Sequence, residues 1–305
     1  MYRLEDYLDI CIITYNRSSY LDVTITKFLN SPFKNCKLFI IDNCSTDDTQ
    51  AVAEKYGNKI EYRRNRFNIG ANANIMRAFE YGENPYVWVI GDDDDYDFGY
   101  IDDLIPILND GIVELIHVGA HTDVDWNYGG KIVNTQKIIA EGYPFFRFSS
   151  FIGCNIVKRN AVEKFAIQGY NNIVNSYPHM PFLLSFYEED KPIYICINRI
   201  AKAVIGNQGY NNDSLIKWWG GTCNLIKNYK DKRKCFFQQF CNSNKYKQLL
   251  VWRYQYHTGL LSRSSYKMAI SFFSKTEKLV SLLGYIPYYF YKFVKTKVNL
   301  NTSRS

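Results

Sequence analysis

The run Asp92-Asp93-Asp94-Asp95, followed by Asp97, stands directly after the apolar stretch 86–91 (YVWVIG). Two carboxylates about 5 Å apart repel by roughly 1 kcal/mol in bulk water and several-fold more at an effective dielectric of ~20, so an unneutralised cluster beside a core costs stability. Four kinds of chemistry accommodate it: a solvated turn, a calcium loop, a general acid/base pair, or a divalent cation shared with an anionic ligand. The calcium loop fails on spacing. Counted from Asp93, an EF-hand has Asp95 and Asp97 in place but needs glycine where Phe98 stands and glutamate where Leu104 stands. An acid/base pair accounts for two carboxylates. Mg2+ or Mn2+ held together with a diphosphate accounts for the excess, because hard cations usually combine one or two carboxylates with phosphate oxygens. A solvated turn is the plain alternative.

The elements that must position this cluster are readable around it. Residues 8–14 (LDICIIT), 37–41 (KLFII), 60–63 and 86–90 are short apolar or β-branched runs that predict strands. Between them, Leu21, Ile25, Phe28 and Leu29 recur at helical spacing, Ser45 with Asp48 forms a capping-box pattern before a second helix, and Ile75, Met76 and Phe79 carry a third to about Tyr81. Strand alternating with helix predicts an α/β fold, a mostly parallel, Rossmann-like sheet with helices on both faces. In such sheets ligands bind beyond the carboxyl ends of the strands. That rule brings residues 14–17, 42–45 and 92–95 to one crevice. Further on, 100–108 reads as a helix, 114–120 (ELIHVGA) as one strand, and 121–200 as aromatic-rich strands and loops. From about Ser214 the pattern is helical and basic. A boundary near 206–212 gives a first domain of 1–212, halved near residue 110, and a C-terminal region of 213–305.

Four motifs in order, Thr14-Tyr15-Asn16-Arg17, then 41–49 (IDNCSTDDT), then Asn68-Ile69-Gly70 with Asn74, then Gly91 through Asp95, resemble the signature of family 2 glycosyltransferases with the GT-A fold. They cover roughly the first 110 residues. The resemblance implies a nucleotide-diphosphate-sugar donor, a UDP-sugar foremost, held by Thr14, Tyr15, Asn16, Arg17, Asp42, Asn43, Ser45, Asn68, Gly70, Asn74, Asp92 and Asp93. It also implies Mn2+ or Mg2+ on the diphosphate, ligated from among Asp92, Asp93 and Asp94. One departure stands out: Gly91 occupies the place of the first acid in the pattern Asp-Ala-Asp-Asp. Inverting transfer further requires a base for the acceptor hydroxyl. Family members often supply it from a Glu-Asp pair opening a helix, where this chain reads Ser176-Tyr177-Pro178-His179-Met180. His179 is the candidate base, with a metal ligand or a structural histidine as its other readings; Glu188, Glu189 and Asp190 are weaker candidates.

Composition bounds the rest. The net charge of +7 divides unevenly, since residues from Lys227 onward carry 16 Lys and Arg against Asp231 and Glu277, so the acidic cluster belongs to an acidic part and the tail is basic. No apolar run reaches the ~20 residues of a membrane span, and the start lacks a signal-peptide pattern, which predicts cytoplasmic residence. The eight cysteines show no Cys-x-x-Cys pair and read as free thiols. Leu279, Leu282, Leu283, Ile286, Phe290, Phe293 and Val294, bordered by lysines and tyrosines, suit a segment lying on an anionic membrane surface at the inner face of a bacterial cytoplasmic membrane. No nucleic-acid module is present. Trp218 and Trp219 are either core or sugar-stacking. The expected activity is metal-dependent, inverting sugar transfer onto a glycan or polyprenyl-linked acceptor in cell-surface polysaccharide synthesis. Its competitors are a non-catalytic nucleotide-sugar-binding or scaffold protein, and a sugar-nucleotide nucleotidyltransferase, whose glycine-rich basic loop is lacking.

Overall fold

Strands too apolar to show any alternation have both faces buried, and β1 (Leu8–Thr14) is such a strand, with six of its seven residues buried. It pairs in parallel with β2 (Lys37–Asp42) on one side and with β4 (Tyr86–Gly91) on the other, and β3 (Glu61–Arg64) continues the sheet beyond β2. The computed structural model describes residues 3–101, 103–121, 128–175, 177–203, 216–217, 220, 245–285 and 288. The chain divides into two compact units, Met1–Gln208 and Gly209–Ser305.

Within the first unit, α1 (Ser18–Leu29), α2 (Thr49–Glu54) and α3 (Ala71–Ala78) connect the parallel strands as their periodicity requires. After β4 come the short β5 (Asp95–Tyr96), α4 (Leu104–Asp110), β6 (Leu115–His117), β7 (Gly119–His121), β8 (Lys131–Asn134), α5 (Thr135–Ala140) and α6 (Phe145–Ser150). Then follow β9 (Asn155–Lys158), α7 (Arg159–Asn171), α8 (Met180–Glu188), β10 (Pro192–Ile195) and β11 (Ala201–Ala203). The eight-stranded sheet runs β3-β2-β1-β4-β9-β6-β10-β8, and β5-β11-β7 forms a second, small sheet. β9 is antiparallel to both β4 and β6, and β8 is antiparallel to β10, so the sheet is mixed.

Two expectations give way here. The span 114–120 is not one strand: it changes sheets at Val118, and a Cβ on Gly119 would run into the carbonyl of Ala201 on β11. The middle region is largely helical rather than strands and loops. The segment FFRFSS reads as a strand by residue type, yet Phe145, Phe146 and Phe148 are each 0% exposed within α6. Likewise α8 (MPFLLSFYE) is apolar nearly all round, so it lacks the period that marks a surface helix.

At the foot of the sheet the turn before β4 is tied to β1. Asp9, fully buried, accepts the backbone N–H groups of Glu83 and Asn84 at 2.7 and 2.8 Å and pairs with Arg159 at 3.3 Å. The basic turn after β9 therefore belongs to the framework: Arg159 also donates to the Asn84 carbonyl at 3.0 Å, and Lys158 to that of Gly111 at 2.9 Å. All five cysteines among the described residues are free. In the second unit, α9 (Lys245–His257), α10 (Arg263–Ser271) and a helical run over 275–285 are described. Trp252 and Phe273 meet edge to face there, 6.1 Å between centroids. Trp218, Trp219, the 206–212 boundary and the tail residues Ile286, Phe290, Phe293 and Val294 lie outside the described residues.

Candidate active site

Parallel register sets Thr14 level with Asp42 and Ile13 level with Gly91, so β1, β2 and β4 end on one rim and their loops share a crevice. There the acidic run divides its labour. Asp92, 4% exposed, accepts the Thr14 hydroxyl on Oδ2 at 2.6 Å, while its own carbonyl accepts Thr24 Oγ1 at 2.8 Å. Burial pushes its carboxyl up to about 6, a rise opposed by the Thr14 hydrogen bond and the Arg17 charge. Arg17 Nη1 lies 3.4 Å from Asp92 Oδ1 and also contacts Asp93 Oδ2. Asp93 and Asp94 both reach over Gly91: Oδ1 of the first and Oδ2 of the second are each 3.1 Å from the point a Cβ on residue 91 would occupy. Asp95 pairs with Lys27 at 2.8 Å and Asp97 with Lys202 at 3.6 Å. The repulsion that the bare sequence poses is thus met by Arg17, shared between Asp92 and Asp93, and by Lys27 and Lys202 at Asp95 and Asp97.

The loop is held from beneath by Tyr96, 7% exposed, whose hydroxyl donates to the Gly91 carbonyl at 3.1 Å. Its ring lies 5.2 Å from Phe28, 5.9 Å from Phe98 and 6.0 Å from Trp88 between centroids.

The other two loops interlock through side chains. Asn16 and Cys44, at φ +53° and +66°, take the left-handed conformation that few non-glycine residues adopt. Asn16 N–H donates to Ser45 Oγ at 2.9 Å, and Asn16 Oδ1 accepts Thr46 N–H at 2.7 Å. Ser45 Oγ donates to Asp42 Oδ1 at 2.5 Å, and the expected capping box does not form because α2 starts only at Thr49, with Asp48 at its N-cap; Asp47 accepts the Thr49 and Ser18 N–H groups, at 3.1 and 3.0 Å. Asp42, 0% exposed, is further satisfied by the Tyr62 hydroxyl at 2.6 Å and Arg64 Nε at 3.3 Å. Asn43 Oδ1 receives Ile69 N–H at 3.0 Å and Asn65 Nδ2 at 3.1 Å, and its Nδ2 donates to Asn68 at 2.8 Å. Asn74, also buried, joins Asn65 to the Ile41 carbonyl, and Gly70 opens α3 at φ +84°.

The residues expected at the donor crevice stand at the ends of β1 and β2, in the loops after β1, β2 and β4 and before α3, and, for Asn74, in the first turn of α3. Asp42, Asn43 and Asn74 are enclosed by protein partners and shape the crevice, whereas Tyr15, directly after β1, is 42% exposed. Sequence reading missed Tyr62, Arg64, Asn65, Thr24 and Asp47. Tyr62 and Arg64 carried a signal, because alternate residues on a strand share a face.

The base candidates separate by topology. β9 runs down the sheet, so α7 climbs back toward the crevice end, α8 descends, and β10 starts at the foot. His179, immediately before α8, is thus at the crevice end. Glu188, Glu189 and Asp190 are at the foot: Glu189 pairs with Lys164 and Lys191, each at 3.3 Å, and Asp190 accepts Gln136 N–H at 2.9 Å. Two of the weaker candidates, Glu189 and Asp190, are thus engaged by protein partners away from the crevice end. His179 is 1% exposed, and its Nε2 lies 3.0 Å from the Ser149 carbonyl. A carbonyl only accepts, so Nε2 carries the proton and Nδ1 holds a lone pair; that buried Nδ1 has no hydrogen-bond partner. Burial lowers its pKa to about 4, which keeps the ring neutral. Ser149 continues inward, its Oγ 3.1 Å from His117 Nε2, and His117 Nδ1 lies 3.0 Å from the Tyr143 hydroxyl.

Against known proteins, the profile described as "Glycosyl transferase family 2" matches residues 9–165. The chain belongs to glycosyl transferase family 2. Abequosyltransferase RfbV of Salmonella typhimurium is 33% identical over 93 residues, 28% of this chain and 28% of that protein. The GalNAc(5)-diNAcBac-PP-undecaprenol beta-1,3-glucosyltransferase of Campylobacter jejuni is 28% identical over 270 residues, 76% of this chain and 87% of that one. The S. aureus TarS 1-349 complex with UDP shares the fold at TM-score 0.59 and 12% identity, covering 93% of this chain and 89% of that one.

Family 2 glycosyltransferases generally use a divalent cation, and the donor set of this member fits one. Among the described residues no three His, Cys, Asp or Glu side chains form a metal-binding group. Two hard carboxylate oxygens meeting above a glycine suit instead an ion that completes its shell with phosphate oxygens. Gly91, the departure from the family pattern, also leaves these oxygens their space.

Proposed function

We propose that this family 2 enzyme is a metal-dependent, inverting glycosyltransferase that moves a sugar from a nucleotide-diphosphate donor, a UDP-sugar, onto a glycan or polyprenyl-linked acceptor of bacterial cell-surface polysaccharide. The observation that carries this reading is that Asp93 and Asp94 each place a carboxylate oxygen over Gly91, at the carboxyl ends of β1, β2 and β4. The Campylobacter relative, named for an undecaprenol-linked substrate, and TarS, solved with UDP, support the acceptor and donor classes.

In this mechanism residues 1–110 bind the donor. Tyr15 stacks on the base, the loops ordered by Asp42, Asn43, Ser45, Asn68 and Asn74 frame the ribose, and Asp93 and Asp94 hold Mn2+ or Mg2+. When bound, the cation offsets the charge that builds on the departing diphosphate. Residues 111–212 meet the acceptor. His179, fixed through Nε2 by Ser149, takes the proton of the attacking hydroxyl on Nδ1 as that oxygen bonds to the anomeric carbon and the diphosphate leaves.

The test is UDP release from UDP-sugars with Mn2+, with and without a polyprenyl-diphosphate glycan. Asp93→Ala and Asp94→Ala are each expected to slow turnover about 10³-fold, a loss of roughly 4 kcal/mol of transition-state stabilisation. Donor binding with no turnover by the wild type under any acceptor would favour the non-catalytic reading.

Residues 213–305 are proposed to rest on an anionic membrane surface. Leu279, Leu282 and Leu283 are 63%, 50% and 79% exposed, and no helix among the described residues is long and apolar enough to cross a membrane. Sedimentation with phosphatidylglycerol vesicles, weakened by salt and by truncation after residue 267, is the expected result; equal sedimentation of the truncated chain would refute it.

A further inference from the structure

We propose that Arg17 is the positioning residue of the cation site: by holding one oxygen of Asp93 it turns the other toward Asp94 above Gly91. The inference rests on the reading that a divalent cation binds there.

The contacts divide the Asp93 carboxylate between two directions. Its Oδ2 takes Nη1 of Arg17, and its Oδ1 lies over residue 91 beside Oδ2 of Asp94. The guanidinium is anchored in turn. The same Nη1 reaches Oδ1 of buried Asp92 at 3.4 Å, the other oxygen of Asp92 is held by Thr14, and the guanidinium carbon lies 5.8 Å from the Tyr20 ring centroid. Thr14, Asp92, Arg17 and Asp93 thus form a chain leading from the end of β1 to the oxygens above Gly91. Its last link settles which way Asp93 faces.

Partners outside a metal's own ligands orient those ligands, and losing one typically lowers metal affinity about 10- to 100-fold. An arginine present only to neutralise the cluster would have the opposite effect, since its removal would leave a more negative site with tighter cation binding. The sign of the change therefore distinguishes the two roles. Lysine is an imperfect substitute, because it retains the charge without the planar fork.

The experiment titrates Mn2+ into the full chain at saturating UDP, whose phosphates would complete the ion's shell, against a blank of UDP without protein, and reads free Mn2+ by electron paramagnetic resonance. Arg17→Gln is expected to bind Mn2+ about 10- to 100-fold more weakly than wild type, with Arg17→Lys between them. Gly91→Ala, with Arg17 intact, is expected to weaken Mn2+ uptake similarly, since its Cβ would stand 3.1 Å from both oxygens. Unchanged or tighter binding in Arg17→Gln overturns the inference alone. No Mn2+ uptake by wild type overturns the cation reading as well. If Arg17→Gln fails to fold, Arg17→Lys carries the test, and wild-type affinity in that variant overturns the proposal.

Discussion

The two sides of the large sheet treat polar groups in opposite ways. On the β1–β2–β4 side the carboxylates gather at a half-open rim, each held by a cation or a hydroxyl: Asp92 by Thr14 and Arg17, Asp93 by Arg17, Asp95 by Lys27. On the β9–β6–β10 side two histidines are sunk among aromatic rings and kept neutral, with His117 lowered to about 3 and His179 to about 4 by burial. A rim of paired charges can exchange partners with a charged ligand. A neutral, oriented imidazole suits a hydroxyl that has a proton to give. The division matches the two demands of glycosyl transfer, a charged leaving group and an uncharged nucleophile.

Removing the proposed base of the neutral side has the largest expected effect. His179→Ala is expected to lower kcat about 10²- to 10⁴-fold while UDP-sugar affinity by calorimetry stays near wild type. Normal turnover in that variant would reduce the β9–β6–β10 side to scaffolding.

Acid should then weaken the two sides unequally. Both histidines have folded-state pKa values below the ordinary 6.5, so the unfolded chain binds more protons from about pH 6.5 down to about 4 for His179 and about 3 for His117, and stability falls as pH drops through that window. Their combined contribution is a few kcal/mol, read by urea denaturation at pH 7 and pH 4.5; His117→Phe should flatten the slope.

Asp92 behaves in the reverse sense and with a smaller effect. Its folded-state pKa of about 6 lies above the unfolded value, so ionised Asp92 costs stability above pH 6, and the cost fades as pH falls toward 4. Asp92→Asn should therefore stabilise the ligand-free chain by on the order of 1–2 kcal/mol at pH 7, after the loss of its bonds to Thr14 and Arg17, and by little at pH 4. A larger gain at pH 4 than at pH 7 would contradict the burial of an ionised Asp92.

The same contrast explains what the amino-acid sequence discloses. Residues 8–14, 37–41 and 86–90 read as strands because parallel strands covered on both faces are short, uninterrupted apolar runs. Their loops are legible because Asn, Asp, Ser and Gly at strand ends have few other uses. The second half hides its architecture. α6 and α8 are so deeply packed that Phe145, Phe148, Phe182 and Phe186 leave no polar face to mark a helical period. The place of His179 follows from the antiparallel β9, which sends α7 up and α8 down, and nothing local to 176–190 announces that reversal. Within the rim, Asp92, Asp93 and Asp94 are conspicuous in sequence. What stays hidden is the partners of the run, since Thr14 and Arg17 beside Asp92 and Asp93, Lys27 beside Asp95 and Lys202 beside Asp97 all lie far away along the chain.

The pinning of Tyr96 has a thermodynamic consequence. Asp92 is held by Thr14 and Thr24, and Tyr96 by the ring cluster and the Gly91 carbonyl, which leaves only residues 93–95 between two fixed points. Ordering a residue's backbone costs roughly 1–2 kcal/mol of conformational entropy, and for this arc much of that is met when the chain folds. A ligand arriving at the arc finds a receptor whose entropy has already been surrendered. Disturbing Phe28 or Phe98, which touch no reacting atom, would then appear as weaker donor affinity with the chemical step left intact.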